Sequence, residues 1–132
     1  MVLRATAALI VLGTPALAEV CDKVRPGWDP SDGPIGPVGE AIHLATSPPG
    51  LVLIALLAAT FVLRNWALAG GTAIAALALV ALIEMDWRGL IDGSMVAYAT
   101  AEGCKASPTL FSAVAILLAG LGLWLAVRGR SA

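Results

Sequence analysis

The pattern of apolar and polar positions is dominated by one run, from Pro48 to Ile83, in which Arg64 is the single charged residue. As one helix this run would reach roughly 54 Å at 1.5 Å per residue, against a bilayer core of about 30 Å. Folded back at Arg64–Asn65 it becomes two limbs, Pro48–Leu63 and Trp66–Ile83, each close to the minimum spanning length. Gly70-Gly71 is the competing turn, but it leaves too short a return limb. A second apolar run, from Thr109 to Val127, has the length of a third span. The pattern therefore predicts an all-α integral membrane protein: a helical hairpin plus one further transmembrane helix.

Between the runs the chain turns polar. Residues 19–47 are broken by Pro26, Pro30, Pro34 and Pro37 and by Gly27, Gly33, Gly36 and Gly39, so an irregular loop is expected. Val38–Thr46 is predicted to form one or two helical turns, with Ile42 and Leu44 resting on the membrane surface. Ser47 is placed to cap the first span, and Pro48 and Pro49 fall in its first turn, where a missing N–H costs little. In residues 84–108 the apolar Leu90, Ile91, Met95 and Tyr98 recur at near-helical spacing, which predicts a short interfacial helix. Trp28 and Trp87 suit the aromatic belt.

Residues 1–18 have the parts of a secretory signal: Arg4, an apolar stretch from Ala5 to Leu12, Pro15, and Ala16-Leu17-Ala18 ahead of a cut before Glu19. The alternative is an uncleaved N-terminal anchor. Either way residues 19–47 are expected outside the cytoplasm. Charge points the same way. Lys23 and Arg25, and Arg88 and Lys105, are spread over two long loops in which acidic residues outnumber them. Arg64, Arg128 and Arg130 stand at short connections without any acid. By the density of Lys and Arg, an exported N-terminus and a cytoplasmic C-terminus in a bacterial inner membrane are expected.

Composition agrees with this picture. Hydrophobic residues make up 59% and charged residues 13% of the 132, where soluble domains carry about 25% charge. A net charge of −1 offers no electrostatic basis for binding nucleic acid. Small residues recur in Ala55-xxx-Ala59, Gly71-xxx-Ala75 and Ala115-xxx-Ala119, a spacing that allows close helix approach.

Candidate chemistry is sparse. Cys21 and Cys104 both fall on the exported side, where an even cysteine count predicts a structural disulfide; a redox or metal-binding thiol pair is the alternative. Glu40 and His43 form an E-x-x-H pair that would share a helix face and supply half a metal site, with Glu84, Asp86, Met85 and Met95 on the same side. No cofactor-binding, haem-attachment or nucleotide-loop pattern occurs, and no charge lies well inside a span, where ion paths and proton relays need one. The expected function is a non-catalytic accessory or assembly subunit of a larger inner-membrane complex. Its expected partners are the lipid bilayer and other membrane subunits. The alternative is a small-solute or metal-ion transport component acting as an oligomer.

Overall fold

The computed structural model describes residues 20–129, and its regular structure is entirely helical. The signal-peptide expectation for residues 1–18, with its cut before Glu19, lies outside the described residues. After a helical turn at 20–24 and a single 3₁₀ turn at Pro30–Asp32, five helices follow: α1 Pro37–Thr46, α2 Pro48–Leu63, α3 Trp66–Trp87, α4 Gly93–Glu102 and α5 Thr109–Arg128.

Helices α3 and α5 are each long and apolar enough to cross a membrane. Helix α2 has 16 residues, about 24 Å at 1.5 Å per residue, which is short of the hydrocarbon thickness. It makes a third span only when joined to α1, from which it is bent by 79°. The bundle thus carries two spanning helices, or three if α1 and α2 count as one bent span.

The bend between α1 and α2 is built by local chemistry. The Ser47 N–H donates to the carbonyls of His43 and Leu44, closing α1. The Ser47 hydroxyl donates to the Leu44 carbonyl at 2.6 Å and accepts from the Gly50 N–H at 3.3 Å, opening α2. Pro48 and Pro49 occupy the first turn of α2. Gly50 is obligatory for a steric reason: a Cβ there would overlap the Leu44 carbonyl oxygen and come within 2.8 Å of the Ala45 carbonyl oxygen. At the other end of α2, Arg64 turns left-handed (φ 50°, ψ 34°), and the Asn65 side chain accepts from the Ala67 and Leu68 N–H groups to cap α3.

Two details differ from the sequence reading. Helix α3 continues past Ile83 to Trp87, because Glu84, Met85 and Asp86 end the apolar run without breaking the backbone helix; Arg88 and the left-handed Gly89 end it. On α1, Ile42 is exposed, but Leu44 turns inward against the core. Residues two apart on a helix cannot share a face.

The core is formed by Leu53 and Leu57 of α2, Ala76 and Val80 of α3, and Phe111, Ala115 and Ala119 of α5. Buried positions on α3 (Ala69, Thr72, Ala76, Val80) and on α5 (Ala115, Ala119, Gly122, Ala126) follow helical spacing and are mostly small. Of the three small-residue patterns in the sequence, Ala115-xxx-Ala119 is at the packed face; Gly71 and Ala55 are exposed. One polar bridge crosses the interior. Thr60 Oγ1 donates to the Leu56 carbonyl at 2.9 Å, so Thr72 donates to Thr60 across 3.0 Å.

Gly50→Ala is expected to destabilise the detergent-solubilised protein by about 1–3 kcal/mol, the range for forcing extra atoms into a packed site. Gly70→Ala, where an added Cβ meets nothing within 4 Å, should leave the melting temperature unchanged or raise it. Thermal melts followed by helical circular dichroism provide the comparison.

Candidate functional site

The polar chemistry of the described residues gathers at one end of the bundle, where residues 20–47 and 84–108 form a cap. Cys21 sits in the helical turn at 20–24 and Cys104 just beyond α4. Their Cα atoms are 5.9 Å apart and their sulfurs are at bonding distance, across a sequence separation of 83. Both are buried, at 3% and 0% exposure, in a small cluster with Ala99, Val20, Val24 and Trp28.

The chain reaches this arrangement through α4. Asp92 caps its start by accepting from the Met95 N–H, and Val96 and Ala99 form its inward face. Leu90, Ile91 and Tyr98 are exposed, so the apolar spacing seen in the sequence marks the outer surface of this region and not its packing face. Gly103 closes α4 with φ +88°, a left-handed conformation that suits glycine. The reversal brings the Cys104 N–H to the Ala99 carbonyl at 3.1 Å, beneath the helix end.

Five further links fasten the cap. The Ile35 N–H donates to the Gly103 carbonyl at 2.8 Å, tying the two loops backbone to backbone. Arg25 pairs with Glu40 at 2.7 Å, and the Ala106 N–H donates to the same Glu40 oxygen at 3.4 Å. Lys105 pairs with Asp86 at 2.6 Å, and the Ser112 hydroxyl donates to Glu84 at 3.0 Å. Glu40 is almost wholly buried, so its charge is tolerable only because Arg25 and an N–H group meet it.

Glu40, His43 and Asp86 line one cleft of about 260 Å³, bordered also by Arg25, Lys105 and Cys104. The structure thus brings the E-x-x-H pair and Asp86 together but turns Glu84 towards α5. Glu40 is engaged by Arg25. Neither Glu40 nor His43 belongs to a set of three converging metal donors among the described residues. His43 lies on α1, off the axis of the spans. Burial, with help from Arg25 and Lys105 and against the opposing pull of Glu40, holds its imidazole below the usual histidine range.

The sequence reading missed Glu102. Its Oε2 stands 3.0 Å from Cys21 Sγ, a sulfur that has no proton to donate while it is part of a disulfide. Its Oε1 is buried without a hydrogen-bond partner, as are Trp28 Nε1 and Arg25 Nε. Spacing from Cys104 in an E-x-C triplet was the one available signal, and it becomes informative only once Cys21 arrives from the far end of the chain.

No protein-family model matches the chain, and no curated protein or solved structure matches it either.

Closing so long a loop restricts the unfolded chain by about 4–5 kcal/mol in the chain-entropy account. Helices that stay in the bilayer when the cap opens would lower that figure. Cys104→Ser is therefore expected to make residues 22–47 at least several-fold more sensitive to limited proteolysis while retaining the helical signal. In the parent protein neither cysteine should alkylate under denaturing conditions before reduction, and both should afterwards. Two reactive thiols in unreduced protein taken from an oxidising compartment would contradict the bridge.

Proposed function

We propose that the protein is a non-catalytic accessory or assembly subunit of a larger bacterial inner-membrane complex, presenting its stapled cap on the exported side. The observation that carries this reading is the closed interior of the bundle. Apolar and small side chains fill it, and the hydroxyls along the helices are engaged internally, Thr72 to Thr60, Thr60 to Leu56 and Ser112 to Glu84. A chain that conducts ions or relays protons on its own needs polar or ionisable groups along such a path. Every described ionisable side chain instead stands at one of the two ends or in the cap.

The outer surface supports a partner. Leu90, Ile91 and Tyr98 stand 56–68% exposed on the cap, an apolar exposure that a docking subunit would cover. Within the bundle, α2 and α5 diverge beneath α1 around an apolar groove of about 380 Å³ that includes Ile54, Leu57, Val114 and Leu118. The cap holds these surfaces in a fixed relation through the disulfide and its ion pairs.

The orientation follows from the same end-to-end asymmetry. The α2–α3 turn and the end of α5 lie together, with Leu63, Arg64, Asn65, Ala126 and Gly129 around one depression. Arg128 stacks on Trp124 at 4.3 Å there. Most acidic side chains are at the opposite end. Together with a signal peptide cut before Glu19, this asymmetry supports a cap outside and an arginine end in the cytoplasm.

Extraction in a mild detergent followed by native mass measurement is expected to give an assembly that contains other chains. Ile91→Glu should release the protein from it without loss of helix content. A homo-oligomer that moves solute in vesicles would instead establish the transport reading.

Reporter fusions after Leu63 and after Arg130 should be active on the cytoplasmic side, and fusions near Asp32 and Asp92 on the exported side. An exported reading after Arg130 would invert the orientation.

A further inference from the structure

Among the described residues, one group of three metal-competent side chains has ligating atoms within 4.8 Å of one another: Cys21, Glu102 and Cys104. Its present state leaves polar atoms without partners. Glu102 Oε2 faces a disulfide sulfur at 3.0 Å, Glu102 Oε1 is buried and unpaired, and so is the indole N–H of Trp28, which packs on the same cluster. Buried polar atoms are nearly always satisfied, and a carboxylate gains nothing from sulfur lone pairs. A disulfide whose only task was to staple the cap would have no use for a half-buried carboxylate, one oxygen of it fully buried, set against it.

Two thiolates and a carboxylate are, however, the ligand types of a zinc site. Zn–S distances of about 2.3 Å and Zn–O distances of about 2.0–2.2 Å place neighbouring tetrahedral ligands roughly 3.5–4 Å apart, so the bonded sulfurs must part on reduction within a corner where all three donors already lie inside 4.8 Å. The left-handed Gly103 turns the chain so that Glu102 and Cys104 face the same corner. Cys104 borders the cleft that holds His43 and Asp86, which supplies an entry route. We propose that this corner is a redox-gated site for a soft divalent cation of the zinc class, closed as the disulfide and opened by a dithiol reductant.

The steps balance. A dithiol passes two electrons and two protons to the Cys21–Cys104 bond, giving two thiols and the cyclic disulfide of the reductant. The cation then displaces both thiol protons and is held by two thiolates and the Glu102 carboxylate, with water in the fourth position. The Trp28 N–H is an unused donor beside the resulting anionic site, of the kind that orients metal ligands. Opening the bond loosens residues 22–47 but leaves Arg25–Glu40, Lys105–Asp86 and Ile35–Gly103 to keep the three ligands in one corner.

The test uses the full chain in detergent, reduced anaerobically with a phosphine and titrated with Co²⁺ and with Cd²⁺. One equivalent should bind, with tetrahedral d–d bands for Co²⁺, a sulfur-to-metal charge-transfer band for Cd²⁺, and two protons released per metal. Glu102→Gln keeps both thiols and should weaken binding roughly tenfold or more; the oxidised protein should show none of these bands. Zn²⁺ should also protect Cys104 from alkylation in the parent and not in Glu102→Gln. Binding of equal strength in Glu102→Gln, or reduced thiols that take up no metal, would each overturn the proposal.

Discussion

Close helix approach through small side chains is the constraint on which this structure rests. In lipid, leaving the bilayer offers no drive for one apolar helix to pack on another, so contact must come from shape and from a few polar bridges. Helices α3 and α5 meet that condition with Ala69, Thr72 and Ala76 on one side and Ala115, Ala119 and Gly122 on the other. Larger residues at those positions would hold the axes apart and separate Thr60 from Thr72. Helix α2 joins the pair where Gly122 admits the Thr60 methyl group; a Cβ at Gly122 would stand 3.1 Å from it.

The cap depends on that bundle and on a different kind of force. Its apolar content is too low for a core of its own, and what orders it is a covalent bond plus directional polar contacts. The tight corner at Ser47–Gly50 lays α1 across the end of α2. That brings Glu40 to Arg25 and to the Ala106 N–H, while Asp86, carried up by the four extra residues of α3, reaches Lys105. The disulfide, Ile35–Gly103 and Glu40–Ala106 join loops on either side of the α2–α3 hairpin, so these links need the helices assembled beneath them, whereas Arg25–Glu40 and Lys105–Asp86 close within one loop each. Its ion pairs sit at an interface where water is partly excluded, which makes breaking one partner more costly than at an open surface.

The same geometry explains why the chemistry concentrates at this end. The interior of the bundle offers lipid-like surroundings in which an unpaired charge is expensive. The cap offers N–H groups, counter-ions and a cleft. His43 shows the balance there, with burial and two cations opposing its protonation and one carboxylate favouring it. Glu102, by contrast, turns one oxygen towards sulfur and leaves the other buried without a hydrogen-bond partner among the described residues.

Much of the architecture is legible in the sequence because the bilayer imposes simple rules. An uninterrupted apolar run, a turn at Arg64–Asn65, a Ser-Pro-Pro helix start and two cysteines flanking the spans each carry a local signal. The sequence by itself therefore determined an all-helical membrane chain, the position of its hairpin turn and a cysteine pair on one side. It did not determine where α3 ends, since helix propensity outlasts hydrophobicity, nor which small-residue stripe packs, since alanine recurs on every face. Only the tertiary structure decided that α1 bends by 79°, that Glu40 pairs with Arg25, and that Glu102 stands against Cys21. Those facts depend on side chains brought together from distant segments, and no periodicity along a single chain records which distant residues will meet.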